Sequence, residues 1–401
     1  MLTADECLEF LLAQARLLCE VETVATEQAL GRVLAEDQVS TVTVPPHDNS
    51  AMDGYAIRVS DLTGEQTELP VSQRIAAGQV GEALAAGTAA RIFTGAPIPP
   101  GADAVVMQEH TQQQDGHVII KGTHRPGQNI RRAGEDLKTG DVVLQQGRRL
   151  RPQDLGLAAS VGLARVPVYR RLKVAIFSTG DELVIPGAPL QPGQIYNSNR
   201  YTLTGLLQNI NCEIIDLGNV ADDLAATLKV LQQAAAQADV IVTSGGVSVG
   251  EEDYIKAALD QLGQVEMWRV SMKPGKPLAY GHVAETAFIG LPGNPVSVFA
   301  TFLLFARPYL LRCMGATRVQ PDRLQVTADF DWQRAGPRRE FLRARLGRDA
   351  QGNTSASLYA SQGSGVMTST VWADGLVIIP ENTTISAGDS VEYLSFDSLL
   401  A

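Results

Sequence analysis

The pattern of apolar and polar positions changes character three times along the chain. It opens with a helical period. Thr3-Ala4-Asp5-Glu6 has the form of a capping box, and Leu8, Leu11, Leu12, Ala15 and Leu18 follow at helical spacing. A second short helix is expected over 26–35, with Ala29, Leu30, Val33 and Leu34 on one face. Between 69 and 145 the runs shorten and alternate. Strands are expected at 71–75, 89–93, 104–107, 117–120 and 142–144, divided by Gly and Pro as in a small barrel or sandwich. A helix at 155–161 follows, and the polar break Tyr169-Arg170-Arg171 opens a new domain.

From 172 strands alternate with helices. Strands are expected at 172–177, 213–217, 239–242, 265–270, 278–282 and 287–289, and helices at 199–210, 222–237, 253–262 and 295–314. That order predicts an α/β domain with a mostly parallel sheet wrapped by helices. The last segment, from 321, is β-like again at 324–328, 341–346, 357–358, 375–379 and 390–394, with Gly363-Ser364-Gly365 as a flexible loop. A chain of 401 residues with this pattern fits two to four domains.

Composition narrows the partners. The chain is 45% apolar with a net charge of −11. A general nucleic-acid binder or anionic-membrane binder needs a basic surface, so neither is expected; a local basic pocket for a small anion stays open. Cys7, Cys19, Cys212 and Cys313 are scattered, with no CxxC pair, and read as buried free thiols. The histidines show no metal-ligand spacing, so a zinc hydrolase has no support, and they are expected in loops or solvent. No basic-then-apolar leader and no apolar run of membrane-spanning length is present, and 296–306 is of core-helix length. A soluble, cytoplasmic protein is expected.

The candidate chemistry centres on TSGGVSVGEEDY (243–254), which follows the apolar run Val240-Ile241-Val242. Glycines turn a backbone sharply and present N–H groups to an anion, and carboxylates can hold the cation that accompanies it. The plain alternative is a strand-to-helix loop with Glu251, Glu252 and Asp253 as first-turn acids. Its surroundings favour a site. The polar or Gly-rich clusters 178–182, 222–223, 244–253, 273–277 and 291–295 all fall just after expected strands, where ligands of parallel sheets sit. Lys273 and Lys276 stand in a proline-restricted turn. No P-loop and no Ser-His-Asp or Cys-His arrangement is evident. The pattern fits a hard cation such as Mg2+ beside a phosphorylated substrate, with lysine as counter-charge.

Outside that domain, VPPHDNSAMDGYAIR (44–58), Thr94-Gly95-Ala96-Pro97 and the loop 129–136 are polar and turn-rich. In the last, Arg131 and Arg132 precede Glu135 and Asp136, either as a surface ion-pair turn or as a phosphate fork. Arg338, Arg339 and Arg343 read mainly as exposed strand charges that keep an edge soluble.

Seven motifs together resemble the molybdopterin molybdenumtransferase family, the bacterial MoeA proteins and the equivalent domain of gephyrin. They are DNSAMDGYA (48–56), TGAPIPPGADAVV (94–106), GQNIRRAGED (127–136), STGDEL (178–183), SGGVSVGEEDY (244–254), KPGKP (273–277) and GLPGNPVS (290–297). The resemblance runs end to end. It implies a four-part, elongated homodimer: a helical scaffold from 1–43 with 141–170, a β-rich insertion at 44–140, a molybdopterin-binding α/β domain at 171–318 and a C-terminal β-barrel-like domain at 319–401. The implied reaction inserts molybdenum from molybdate into adenylylated molybdopterin, with Mg2+ or a similar ion, and releases AMP.

The resemblance also implies the working residues. They are Asp53, Thr94, Asp136, Glu182, Asp222, Asp253, Lys273, Lys276, Pro292 and Pro295. On this reading Asp222 and Asp253 hold Mg2+, and Lys273 and Lys276 attract molybdate. Ser244, Gly245, Gly246 and Ser248 cradle the pterin phosphate, and Asp53 and Asp136 reach the site across the dimer. The nearest rival is a molybdopterin adenylyltransferase, which shares the α/β domain and is a possible transient partner. A non-catalytic scaffold is the reading of another class.

Overall fold

The structure, a computed structural model, describes residues 1–246, 254–349 and 351–400. The first helix, α1 (Ala4–Gln14), starts as expected. The Thr3 hydroxyl accepts from the Glu6 N–H, and the Glu6 carboxylate accepts from the Thr3 N–H at 2.8 Å. Cys7 and Leu11 of α1 are fully buried in the largest core. The second expected helix does not form. Only a single 3-10 turn at Thr26–Gln28 is present. Gly31, at φ +71°, redirects the chain. Val33 and Leu34 then bridge to Arg149 and Val168 as extended backbone, and Leu30 is 53% exposed, off the buried face. Pairing with residues more than a hundred positions away overrides a weak local helical period.

The insertion is a six-stranded sheet built from β1 (Gly54–Ile57), β2 (Gln66–Ile75), β3 (Ala89–Ile92), β4 (Ala104–Met107), β5 (Thr111–Gln114) and β6 (His117–Lys121), in the order β4-β1-β3-β2-β6-β5. Beside it the short pair Asn49–Ser50 and Ile130–Arg131 ties two of the motif loops together. Helix α2 (Pro152–Ser160) follows. The expected break at 169–171 is a bound junction. The Arg170 guanidinium donates to both Asp239 oxygens at 2.7 and 2.8 Å and to Glu20 at 2.9 Å.

The central unit comprises β7 (Lys173–Thr179), α3 (Ser198–Asn209), β8 (Glu213–Val220), α4 (Leu224–Gln237), β9 (Val240–Ser244), α5 (Tyr254–Leu262), β10 (Gly263–Arg269), β11 (Pro277–Val283), β12 (Thr286–Leu291) and α6 (Pro295–Cys313). The sheet order is β8-β7-β9-β12-β11-β10. The first four strands are parallel, and β11 and β10 are added antiparallel. The side chains of β7 alternate between two cores: Val174 and Ile176 pack with α3 and α6, and Ala175 and Phe177 with α4 and α5. Helices on both faces explain why these strands read as continuous apolar runs. His282 lies in β11 against Tyr280, not in a loop.

Helix α6 is long and apolar enough to span a membrane by length and composition, yet 83% of its most apolar window is buried inside the fold. It carries one π-helical turn at Phe302–Ala306. Its other side meets a closed five-stranded barrel of β13 (Leu324–Ala328), β14 (Arg339–Arg348), β15 (Thr354–Leu358), β16 (Gly375–Ile379) and β17 (Ser390–Ser395). The ring runs β14-β15-β13-β17-β16 and closes from β16 back to β14. Closure removes the free edge that the arginines were expected to protect. Arg343 is accordingly 1% exposed, bonded to the Ser369 hydroxyl and to the Phe341 and Gly363 carbonyls. Arg339 is ion-paired with Asp5 and Glu381.

All four cysteines are free and buried, and burial pushes each thiol up to about 12. A raised thiol pKa leaves almost no thiolate at neutral pH. At pH 8 a disulfide-exchange reagent is therefore expected to label none of the four until denaturant unfolds the chain, when all four react. Rapid labelling of any one in the native protein would contradict this packing.

Candidate functional site

Parallel strands ending in step build the candidate site. Ser178 of β7 pairs with Asn219 of β8 and with Ser244 of β9, and Ser244 pairs with Leu291 of β12. The loops that follow leave the sheet at one edge. β11 enters there too, because Ala279 pairs with Gly290 and Pro277 opens the strand. So the clusters 178–182, 222–223, 244–246, 273–277 and 291–295 share an edge. Ser248 and Asp253, with Glu251 and Glu252, lie outside the described residues.

The glycine turn is tightly set. Gly245 and Gly246 have φ of +86° and +65°. A Cβ on Gly246 would sit 2.6 Å from Ile255 Cδ1, so only glycine fits. The Gly245 N–H donates to the Leu291 carbonyl at 3.1 Å. It therefore serves the sheet and is not left over as a donor for an anion. Ser244 is 2% exposed with its Oγ 3.5 Å from Ser178 Oγ, so it braces two strands. Pro292 is buried, and the Gly293 carbonyl accepts from Asn199 Nδ2 at 2.7 Å. Pro295 takes the first position of α6, where a missing N–H costs nothing.

The two acids at 222–223 separate cleanly. Asp223 caps α4, accepting from the Ala226 N–H at 2.8 Å. Asp222 stays outside the helix. Its Oδ2 accepts from the Asp181 N–H and its own N–H donates to Asp181 Oδ1, each at 3.2 Å. Among the described residues, Asp181, Glu182 and Asp222 have no ion pair with a basic side chain. These hard oxygen donors, without His or Cys, suit a cation of the Mg2+ kind. Within the described residues they do not gather into a three-ligand cluster.

The lysines diverge. The Lys273 ammonium donates to Glu340 Oε2 at 3.0 Å and lies 6.0 Å from the Trp332 ring centre. Met272 and Lys273 run parallel to Arg339 and Glu340 at the start of β14, so the barrel holds this end of the loop. Gly275 adopts φ +105°, and a Cβ there would meet Thr301 Cγ2 at 2.4 Å. Lys276, one residue on, is exposed. A second barrel contact is the Val296 N–H donating to the Ser364 carbonyl at 3.0 Å, so the 363–365 loop docks on the start of α6. Sequence reasoning missed Glu340 and Asp181. Asp181 stood inside the quoted STGDEL motif; nothing local marks Glu340.

Asp53 and Thr94 meet in the insertion. One Asp53 oxygen accepts from both the N–H and the hydroxyl of Thr94 at 2.8 Å, which holds the carboxyl below its usual range. Arg132 donates to Asp48 at 2.5 Å, which makes the ion-pair reading of that arginine the better one. Asp136 is exposed near Val44, to whose carbonyl its N–H donates at 3.1 Å. Among the described residues no hydrogen bond or ion pair links 45–140 to 171–400. Among the described residues, Asp53, Thr94 and Asp136 are therefore not tied to the sheet edge by a hydrogen bond or an ion pair.

Fold and edge together define a multi-unit protein built on a molybdopterin-binding type of α/β domain. Residues 2–162 match the MoeA N-terminal region (domain I and II), 175–312 the probable molybdopterin binding domain and 325–396 the MoeA C-terminal region (domain IV). The chain is 42% identical to a molybdopterin molybdenumtransferase of Haemophilus influenzae, with all of both chains covered. It is 41% identical to molybdopterin molybdenumtransferase 2 of Mycobacterium tuberculosis over 93% of this chain and 95% of that one. The crystal structure of a MoeA protein of molybdopterin biosynthesis from Pyrococcus horikoshii OT3 superposes with a TM-score of 0.85 at 31% identity, covering 99% of this chain and 100% of that one. The chain belongs to the MoeA family of molybdopterin molybdenumtransferases.

The depressed Asp53 carboxyl gives a test of the insertion. Thr94→Val removes the hydroxyl bond and keeps the N–H bond. The Asp53 pKa is expected to rise toward the ordinary value of about 3.9, read by carboxyl NMR titration. In the wild type the stabilisation is present above that ordinary value and lost as pH falls through the depressed one. An unchanged titration would remove the clamp.

Proposed function

We propose that this chain is a molybdopterin molybdenumtransferase that moves molybdenum from molybdate into adenylylated molybdopterin and releases AMP. The observation that carries the reading is the full-length likeness to a protein of that name, at 42% identity over both whole chains. The substrate carries its own dithiolene sulfurs for the metal, so no cysteine or histidine cluster is required of the protein.

The residues divide the work. Asp222 and Asp253 would hold a Mg2+ ion, whose chemistry is to offset charge on the pyrophosphate linkage. The Gly245-Gly246 turn with Ser248 receives the pterin phosphate; Ser244, Pro292 and Pro295 shape its walls. Lys276 is open to molybdate, and Lys273 is placed beside it by Glu340. Glu182 faces the same edge. Asp53, Thr94 and Asp136 have no tie to that edge in their own chain, which supports a homodimer whose partner insertion completes the site. The division at 1–43 with 141–170, 44–140, 171–318 and 319–401 accompanies this reading. Four buried free thiols accord with a reducing, cytoplasmic setting. A transient contact with the adenylyltransferase that makes the substrate belongs to the same picture.

Molybdate-dependent AMP release from adenylylated molybdopterin with Mg2+ tests the assignment. Asp222→Asn, Asp253→Asn and Lys276→Ala are each expected to lower it by about 10²–10³-fold. Near wild-type rates for Asp253→Asn would sink its metal role. ATP consumption with metal-free pterin would favour an adenylyltransferase instead. Glu340→Ala leaves Lys273 intact but unheld, and a loss of about tenfold is expected, the worth of one charged hydrogen bond.

A further inference from the structure

Arg91 stands just before the TGAPIPPGADAVV stretch and outside every motif that marks the family. In β3 it lies directly opposite Tyr55 of β1 and Arg74 of β2. Opposed residues on neighbouring strands share a face of the sheet. The Arg91 guanidinium lies 4.5 Å from the Phe93 ring centre and 5.3 Å from that of Tyr55. Those rings flank the Asp53–Thr94 clamp: Gly54 alone separates Tyr55 from Asp53, and Phe93 immediately precedes Thr94.

Among the described residues, every hydrogen bond of that guanidinium lands beside the clamp. Nη1 donates to the Gly54 carbonyl at 2.8 Å and to the Ile92 carbonyl at 3.3 Å, and Nη2 donates to Gln108 Oε1 at 2.6 Å. The Gln108 N–H in turn donates to the Asp53 carbonyl at 3.1 Å. Gly54 is held close to β4, since a Cβ there would lie 2.0 Å from the Val106 carbonyl oxygen. One side chain thus joins the backbone that carries Asp53 to the strand end that carries Thr94.

A plain packing role is what Arg74 has. Its guanidinium lies 4.4 Å from the same Phe93 ring and, among the described residues, makes no hydrogen bond or ion pair. Packing on that ring does not require the Gly54 and Gln108 bonds that Arg91 makes. Nor does Arg91 serve a carboxylate by contact, because among the described residues it forms no ion pair. Its charge does reach Asp53. That carboxyl is held low first by the Thr94 N–H, next by the Thr94 hydroxyl and last by Arg91. One Asp53 oxygen is committed to Thr94, and the other has no partner among the described residues.

We propose that Arg91 is a positioning residue for the reaction: it locks the Asp53–Thr94 pair in one geometry, with one Asp53 oxygen engaged and the other left for the substrate. This role rests on Asp53 and Thr94 being working residues. Arg91 itself acts only through them, and a misplacement of about 1 Å in such a group can cost about 10²-fold in rate.

Molybdate-dependent AMP release by the full-length protein tests it, with kcat and the KM for adenylylated molybdopterin read separately. Arg91→Gln is expected to lower kcat about tenfold and to leave KM within about twofold. On an Asp53→Asn background the same substitution should cost less than about twofold, because residues that act as a unit are non-additive. Arg91→Lys keeps the charge without the planar fork and should stay slow. Gln108→Ala removes one anchor of Arg91 and keeps the backbone bond to Asp53; its expected loss of about threefold holds the test open even where Arg91→Gln folds poorly. By carboxyl NMR, Arg91→Gln should raise the Asp53 pKa, while Arg74→Gln leaves both that titration and kcat as in the wild type. Equal losses from Arg91→Gln in the two backgrounds would overturn the proposal, and so would full activity of Arg91→Lys. A slow Asp53→Asn beside a wild-type Arg91→Gln would overturn it alone. A wild-type rate for Asp53→Asn would instead remove Asp53 from the reaction, and the role of Arg91 with it.

Discussion

The in-step ending of β7, β9 and β12 is the constraint on which the rest depends. A strand covered by helices on both faces has no place for a polar side chain along its length. Polar residues are driven to its ends, and the parallel register Ser178–Ser244–Leu291 sets those ends side by side. One edge then collects the polar and glycine-rich loops of this unit. Shifting β9 by one residue would exchange Val242 and Ile241 between the two cores and move Gly245 off its bond to Leu291. Core packing and site geometry are therefore one requirement, not two.

The barrel takes part in that edge. It reaches in twice, through Glu340 to Lys273 and through the Ser364 carbonyl to the start of α6. The Lys273 side chain is 43% exposed, so its ion pair adds little to stability, about 1 kcal/mol or less. Its consequence is positional. Glu340 is 7% exposed and sits on a closed barrel, so it gives a flexible lysine a fixed point. The Gly275 turn against Thr301 limits the same loop from the other side.

Much of this was legible from residue pattern, and the failures have a common cause. Strands at 104–107 and 142–144 fall where alternation and turn residues put them. The five edge clusters were visible because each follows an apolar run. What local pattern could not reveal was the outcome of distant pairing. Residues 26–35 carry a helical period, yet only one 3-10 turn forms before Gly31 redirects the chain and Val33 and Leu34 bridge to Arg149 and Val168. Arg343 looks like a solvent-facing strand charge until β16 closes the barrel on β14 and buries it. Glu340 is one more acid in a charged stretch until Lys273 is laid beside it. Gly245 looks like a free donor until the neighbouring strand takes its N–H.

The edge also poses a charge problem that its helices help to solve. Among the described residues Asp181, Glu182, Asp222, Asp223 and Glu340 stand against Lys273 and Lys276, and Glu340 already engages one of those lysines. Five carboxylates and two ammonium groups make a poor receptor for a pyrophosphate linkage or an oxyanion. Helices α3, α4 and α6 all begin at this edge, after 197, 223 and 294. Each N-terminus brings a partial positive charge of about +0.5. Three such ends, about +1.5 in all, offset only part of the excess of carboxylates and leave no net positive field. The remaining attraction has to come with the substrate. Among the described residues Asp181, Glu182 and Asp222 are left free of basic ion-pair partners, while Glu340, the acid that positions a lysine, is not.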